Sequence, residues 1–319
     1  MATKEKLLAL LTAHPGTFLS GEEIAKELGV SRAAVCKAAR GLRNQGLPIE
    51  AVTNRGYCLE ENADLTDPGK ISADLSPMWQ LQYFPSLPST NSFLRELALQ
   101  GAPEGTVILA DSQTCGRGRM GRSFFSPLNT GLYLSLLLRP RDLSPEESLQ
   151  ITTAAAAALC LAIEEVTGRQ PKIKWVNDLY LKDRKISGIL TEATFSMESG
   201  MLDFAVLGVG LNLYPPLEGF PEELKEIAGA LLEKPQPGLK NRLTAAFLNR
   251  FGDLYTGRNF AEASRIYRSR SYLTGKTVLA GGKQAQVLDI TDRCQLLVKY
   301  DDGTEKALSY GEVSIVNHL

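Results

Sequence analysis

The residues that most restrict the fold are Gly116-Arg117-Gly118-Arg119-Met120-Gly121-Arg122, set between two strand-like runs. Gly116-x-Gly118-x-x-Gly121 has the form of the dinucleotide fingerprint and follows the apolar run TVILAD (106–111). That fingerprint must open a helix, whose N-terminus meets the pyrophosphate. Here the chain runs on through Phe124-Phe125-Ser126-Pro127 into the apolar stretch GLYLSLLLRP (131–140), so a Rossmann site is excluded. No G-x-x-x-x-G-K-[ST] stretch occurs, which excludes a P-loop enzyme. What remains is a glycine-hinged, mobile loop carrying Arg117, Arg119 and Arg122. Guanidinium groups are planar, always charged and multidentate, so the loop suits a polyphosphate or an acyl-phosphate. A basic RNA-binding loop is the alternative.

Around this loop, segments of period two and period 3.6 alternate. LQYFP (81–85), TVILAD, GLYLSLLLRP, KIKWVND (172–178), LYLKDRKISGILTEA (179–193) and LDFAVLGVGLNL (202–213) read as strands. SFLRELALQ (92–100) reads as a helix capped by Ser89 or Thr90. A long helix over 145–168 is opened by Ser144, Pro145 and two glutamates, and two more run over 239–256 and 260–270. The alanine-rich run ITTAAAAALCLAI (151–163) is shorter than the roughly 20 residues that span a bilayer, so a buried helix is expected. Residues 271–319 are short strands broken by glycine turns, the pattern of a small β-barrel.

A chain of 319 residues is long enough for two or three domains, and 44 % hydrophobic with 22 % charged residues is a globular balance. The five cysteines are odd in number, scattered and without a C-x-x-C pair. That argues against a disulfide framework or zinc knuckle and fits a reducing cytoplasm. The start, MATKEKLLALL, reads as an amphipathic helix rather than a signal peptide, and no membrane association is expected. A net charge of −1 means that any nucleic-acid contact must come from a local patch.

Such a patch lies in the first 62 residues. A helix over 4–12, a second started by Ser20 or Gly21, the turn Gly29-Val30-Ser31 and a third helix over 32–46 capped by Ser31 form a helix-turn-helix pattern. Ala34, Val35, Ala38 and Leu42 can pack inward. The runs within 49–60, joined by Thr53-Asn54-Arg55-Gly56, read as a hairpin wing. Arg32, Lys37, Arg40, Arg43 and Arg55 stand against Glu50 alone over 32–56, a net of +4. These cations can neutralise phosphates while side chains of the third helix reach base edges. A protein-interaction domain with a solvated basic face is the alternative.

A second cluster is Lys174-Trp175-Val176-Asn177-Asp178 followed by Lys185-Ile186-Ser187-Gly188, with a hairpin expected at Lys182-Asp183-Arg184. Lysines stabilise charge building on an α-phosphate, and Asn177 with Asp178 can hold Mg²⁺ against phosphate oxygens. A simple turn and a solvated lysine are the plainer readings. Gly208-Val209-Gly210-Leu211-Asn212 exposes backbone at a strand end, or is a bulge in a core strand. Ser89-Thr90-Asn91 offers small polar groups to a compact polar head, or is a plain helix cap.

Taken together, these motifs resemble the biotin protein ligase family, in its bifunctional type fused to a biotin-operon repressor domain, over nearly the whole chain. The resemblance implies an α+β chain in three parts. These are a winged helix-turn-helix DNA-binding domain (1–62), with a linker (63–79), a central mixed-sheet catalytic domain (80–270), and a C-terminal SH3-like β-barrel (271–319). The central fold is of the class II aminoacyl-tRNA synthetase and biotin/lipoate ligase kind. Ser89, Thr90, Asn91 and Gln113 are implied head-group contacts of biotin. Gly116, Arg117, Gly118 and Arg119 form the loop closing over biotin and its adenylate, and Lys185 meets the carboxylate and α-phosphate. Arg117, Arg119 and Lys185 are the implied catalytic set. Gly188, Leu190, Gly208 and Gly210 line the apolar pocket. Arg119, Arg122, Phe124, Lys174, Asn177, Asp178 and Asn212 are implied ATP contacts, with Asp178 toward Mg²⁺, and Ser31 joins the basic residues at DNA. The chain departs from the family pattern at Val176, where proline is common, and at Phe124, where bifunctional members often carry tryptophan. Segment 214–238, on the adenine side, matches less well.

The implied reaction joins biotin and MgATP as biotinyl-5′-adenylate with release of pyrophosphate. A lysine of a biotin carboxyl carrier protein, that of acetyl-CoA carboxylase, then takes the acyl group and AMP leaves. No tightly bound cofactor is expected. Cys115 has no histidine partner for a thioester route, since His14 and His318 are both terminal. The adenylate would also act as co-repressor, with a homodimer binding a two-fold operator. A lipoate or octanoate ligase with a DNA-binding head, and a nucleotide-sensing regulator without transfer activity, are the other readings.

Overall fold

The computed structural model describes residues 3–316 except 45, 141, 142, 145, 146, 199, 310 and 312. The chain divides into two compact units: Met1–Thr66 with Lys234–Lys240, and Asp67–Glu233 with Asn241–Leu319.

In the first unit, α1 (Thr3–Ala13), α2 (Gly21–Leu28) and α3 (Arg32–Asn44) precede the hairpin β1 (Ile49–Val52) and β2 (Gly56–Leu59). Ser20 opens α2 through a capping box with Glu23, and Gly29 ends it in the left-handed region. Ser31 Oγ accepts from Ala34 N at 3.2 Å and so caps α3. Leu7, Leu11, Ile24, Val35, Ala39 and Leu42 form the core. Ala39 takes the inward place expected of Ala34, which is only half-buried. Leu19 pairs with Tyr57 as a short third rung of the wing. Gly56 is required there, because a Cβ would fall 2.0 Å from Leu19 O.

The second unit is built on a seven-stranded sheet in the order β3-β4-β5-β9-β8-β7-β6. Its strands are β3 (Gln80–Phe84), β4 (Thr106–Ala110), β5 (Gly131–Leu138), β6 (Lys172–Lys174), β7 (Asp178–Leu181), β8 (Arg184–Phe195) and β9 (Leu202–Asn212). Only β3 and β4 run parallel, joined through α5 (Thr90–Leu99). Ser89 is the N-cap of α5, its Oγ accepting from Ser92 N at 3.4 Å. Leu94 and Ala98 of α5 pack on Ile108, Leu137, Phe204 and Val206. On the opposite face lies α6 (Leu149–Thr167), where Thr152 meets Thr191 of β8 at 2.7 Å. α6 also packs against α8 (Phe260–Ser269), and its run Ala154–Ala158 is fully buried. Alanine permits this close approach on two sides. α6 is the one helix among the described residues long and apolar enough by composition to cross a bilayer, and that stretch is 67 % buried within the protein. The expected opening at Pro145 and Glu146 lies outside the described residues, and α6 begins at Leu149.

KIKWVND is not one strand. β6 ends at Lys174 and β7 starts at Asp178, with a turn between them. The two apolar residues that make the stretch look strand-like are held by distant groups. Trp175 Nε1 donates to Cys294 O at 2.9 Å, and the buried Tyr267 hydroxyl donates to Val176 O at 3.0 Å. The Trp175–Val176 peptide is cis. The hairpin at Lys182 and Asp183 forms as expected, both residues having positive φ.

The stretch before β3 holds the short helix α4 (Pro68–Ala73), capped by Asp67, with Ile71 fully buried. Trp79 is buried against Phe251 of α7 (Leu239–Thr256) and donates to Leu248 O at 3.0 Å. The C-terminal residues form a five-stranded antiparallel sheet, β13-β12-β11-β10-β14. Its strands are β10 (Thr277–Ala280), β11 (Lys283–Ile290), β12 (Leu296–Tyr300), β13 (Glu305–Leu308) and β14 (Val313–Ile315). Among the described residues the ladder does not close: β13 and β14 are its edges.

Candidate functional site

Register on the central sheet explains where a pocket forms. Gly188 of β8 pairs with Gly210 of β9, and Leu190 with Gly208; Gly208 and Gly210 in turn face Ser135 and Tyr133 of β5. With a period of two, all six lie on one face, the face that carries the start of α5. The missing side chains leave hollows that two others fill. A Cβ on Gly210 would fall 2.5 Å from the Phe124 ring, and one on Gly208 would fall 2.0 Å from Asn91 Oδ1.

One wall is polar and buried. Ser89, Thr90 and Asn91 are each at most 4 % exposed. Gln113 Oε1 accepts from Thr90 N at 2.9 Å and from Thr90 Oγ1 at 3.1 Å, while Gln113 Nε2 donates to Ser126 Oγ at 2.9 Å. Ser135 Oγ lies 2.8 Å from Thr90 Oγ1 and 2.6 Å from Asn91 Oδ1, its single proton serving one of them. Asn91 Nδ2 donates to Glu192 Oε2 at 3.0 Å. Such a connected network holds its members in fixed orientation and gives the wall a defined order of donors and acceptors.

The pocket also carries cations. The arginine–glycine loop takes the form of a hairpin here. Gly118 N donates to Arg122 O at 2.7 Å and Phe124 N to Gly116 O at 2.8 Å. Gly116 is needed for that closure, since a Cβ would lie 2.3 Å from Phe124 O. Arg117 pairs with Glu192 at 3.0 Å. Arg119 Nη1 donates to Asn177 Oδ1 at 3.0 Å, and Asn177 Nδ2 donates to Ile189 O at 2.8 Å. The hairpin thus reaches across to the turn after β6. Lys185 Nζ stands 2.7 Å from Asp178 Oδ1. Lys174 lies 5.5 Å over the ring of Tyr180. Burial, with Asp178 nearby, pushes the Tyr180 phenol up to about 12, so it stays neutral and serves as an aromatic surface.

The pocket brings together Ser89, Thr90, Asn91, Gln113, Arg117, Gly118, Arg119, Arg122 and Phe124 with Lys174, Asn177, Asp178, Lys185, Gly188, Leu190, Gly208 and Gly210. Gly116 and Asn212 are not on its wall. Asn212 Nδ2 instead donates to Gly229 O at 3.0 Å, and its carbonyl receives Leu231 N, tying the 229–231 segment to β9. Further groups were not expected. Ser135 and Glu192 support the polar wall, Ser123, Leu134, Trp175, Ile189 and Val209 lie on the lining, and so do Gly311, Val313 and Ser314 at the C-terminal strand β14. Alternation from Gly188 and Leu190 would have pointed to Glu192. Nothing local marks residues 311–314.

Among the described residues no group of three or more His, Cys, Asp or Glu side chains could hold a metal ion. Of the residues expected toward Mg²⁺, Asp178 supplies one carboxylate and Asn177 one amide. All five cysteines are free: Cys36 and Cys115 are exposed, and Cys58, Cys160 and Cys294 are buried.

On the first unit, Ser31, Arg32, Lys37, Arg40 and Arg43 are exposed along α3, as is Arg55 at the wing, where its guanidinium sits 4.0 Å over the Phe18 ring.

Residues 83–212 match the Biotin/lipoate A/B protein ligase family, residues 3–58 an HTH domain, and residues 277–316 the Biotin protein ligase C terminal domain. The bifunctional ligase/repressor BirA of Bacillus subtilis (strain 168) is 34 % identical over 323 residues, covering 96 % of this chain and 97 % of that protein. The bifunctional ligase/repressor BirA of Escherichia coli (strain K12) is 34 % identical over 208 residues, 65 % of this chain and 63 % of the other. Biotin protein ligase from Aquifex aeolicus, solved in complex with biotin and ATP, matches with a TM-score of 0.62 at 27 % identity, over 75 % of this chain and 99 % of that one. The chain belongs to the biotin protein ligase family and has the domain set of a bifunctional ligase/repressor.

Proposed function

We propose that the chain is an ATP-dependent, AMP-forming biotin–protein ligase that also represses transcription of biotin synthesis genes. The observation that carries the enzymatic reading is one pocket lined both by the buried polar residues Ser89–Asn91 and by the cations Arg117, Arg119 and Lys185. A ligand with a hydrogen-bonding head, an apolar body and an activated carboxylate fits that polarity. Ser89, Thr90, Asn91 and Gln113 bind the ureido head of biotin. Leu190 and the glycine floor at 188, 208 and 210 take the apolar body.

In the first step a carboxylate oxygen of biotin attacks the α-phosphorus of ATP, and the bond to pyrophosphate breaks. Charge grows on the α-phosphate and on the leaving group. Lys185 and Arg117 meet the first, while Arg119, Arg122 and Lys174 meet the phosphates, with Phe124 beside adenine. Mg²⁺ enters with the nucleotide as part of the substrate, because a single carboxylate and an amide are too few donors for a resident ion. Asp178 and Asn177 lie where they can meet it; Gly116 and Asn212 act by shaping the hairpin and the 229–231 segment. In the second step a lysine amine of a biotin carboxyl carrier protein attacks the acyl carbon. The bond to AMP breaks and an amide forms, with no enzyme side chain acylated.

Three further readings belong to this proposal. Residues 1–62 are the operator-binding domain, 63–79 the linker, 80–270 the catalytic domain and 271–319 an SH3-like domain. The adenylate-bound chain is a homodimer on a two-fold operator. The protein works in the cytoplasm.

Pyrophosphate exchange into ATP tests the enzymatic reading, with biotin, lipoate, octanoate or no acid added. Exchange with biotin is expected. Exchange only with lipoate or octanoate would move the substrate, and none with any acid would leave a nucleotide-sensing regulator.

A further inference from the structure

Along β8 the period of two places Glu192 in line with Gly188 and Leu190, on the pocket face. Glu192 does not line the cavity, but two residues that do are bonded to it. Its Oε2 accepts from Asn91 Nδ2 at 3.0 Å. Its Oε1 pairs with Arg117 Nη2 at 3.0 Å, and Arg117 Nη1 lies 3.3 Å from Oε2. One carboxylate therefore joins the start of α5 to the arginine hairpin. The Arg117 side chain is 44 % exposed, so the ion pair alone contributes little to folding stability. Its effect is orientational. A carboxylate only accepts, so it turns the NH₂ of Asn91 toward β8 and leaves Oδ1 beside Ser135. The same group, met by both terminal nitrogens, sets the plane of the Arg117 guanidinium.

We infer that Glu192 is a positioning residue for two neighbouring groups of the pocket, Asn91 and Arg117. It fixes the amide polarity of Asn91 and sets the direction of the Arg117 guanidinium, whose Nη1 also lies 3.4 Å from Ser92 Oγ. This rests on the biotin reading above. Through Asn91 it acts on binding present in ground and transition states alike, which appears in KM. Through Arg117 it acts on charge that develops only during reaction, which appears in kcat.

Two variants separate these roles. In Glu192→Gln the carbonyl oxygen still accepts from Asn91, while the new NH₂ opposes Arg117. Glu192→Ala removes both interactions. The measurement is steady-state pyrophosphate exchange by the full chain with biotin, with kcat per biotin-binding site counted by calorimetry. Glu192→Ala should raise the KM for biotin about tenfold. Glu192→Gln should hold KM within about threefold and lower kcat per site about tenfold. A loss of folded protein alone moves neither KM nor kcat per site. A KM for Glu192→Ala within about threefold of wild type overturns the head-group role. An unchanged kcat per site in Glu192→Gln overturns the Arg117 role, and that variant decides the case if the alanine form does not fold. Wild-type protein silent with biotin would instead sink the functional reading and this inference with it.

Discussion

In the pocket, Arg117 pairs with Glu192, Arg119 with Asn177, and Lys185 with Asp178. On the first unit, Arg32, Lys37, Arg40 and Arg43 make no side-chain hydrogen bond or ion pair among the described residues. Both regions are cationic, and the difference follows from what each kind of anion requires. A compact reacting group gains from cations held at fixed points before it arrives, since no reorganisation is then needed as charge moves. A polyanionic duplex needs density of charge more than fixed geometry, and its binding is driven largely by release of counterions. Pairing within the protein suits the first and would weaken the second.

The sharpest break in that comparison is Lys185→Ala. It should lower biotin-dependent pyrophosphate exchange about 10³-fold, with the thermal midpoint nearly unchanged. An exchange rate close to wild type would remove Lys185 from the reaction. On the other side, Arg40→Ala combined with Arg43→Ala should weaken operator binding. The slope of log K against log salt should fall by about 4, roughly one for each phosphate no longer neutralised by the two protomers, while exchange stays at the wild-type rate. A slope that does not move would take α3 away from the duplex. Between these lies Gly210→Ala, whose Cβ must displace the Phe124 ring. A cost of about 1–3 kcal/mol, read as roughly tenfold or more in KM for ATP, is expected from this overpacking, with operator affinity of the unliganded chain unaffected. The smallest effect belongs to Trp175→Phe, which loses the bond to Cys294 O. About 1 kcal/mol of stability should go, seen as a lower thermal midpoint, with catalysis reduced only slightly.

How legible this site is depends on how local its chemistry is. Arg117, Arg119 and Arg122 stand among glycines, and Lys174 to Asp178 form a short polar-aromatic cluster, so rare composition marks both. Helix α5 and its cap Ser89 can be read because a capping residue and an apolar stripe lie within a few positions of each other. Ser135 cannot be read in the same way, since a serine within GLYLSLLLRP looks like a solvent-facing position of a strand. It is buried because register sets it against Gly208 and under Asn91. The turn at Trp175 and Val176 reads wrongly as strand for a related reason. Its anchors, Cys294 and Tyr267, come from parts of the chain that no local pattern connects to it. The hairpin form of the arginine–glycine loop is not legible in its composition, because it comes from backbone groups that find partners within the same nine residues, 116–124.

The contact between Gly208 and Asn91 has a consequence for descent with modification. A Cβ at 208 would fall 2.0 Å from Asn91 Oδ1, so alanine there requires the Asn91 amide to shift. That shift would alter the order of donors and acceptors at the polar wall unless residue 91 changes with it. The two positions are thus coupled. Substrate preference in chains of this kind should therefore shift in jumps, through coupled replacements, rather than by a gradual series of single ones.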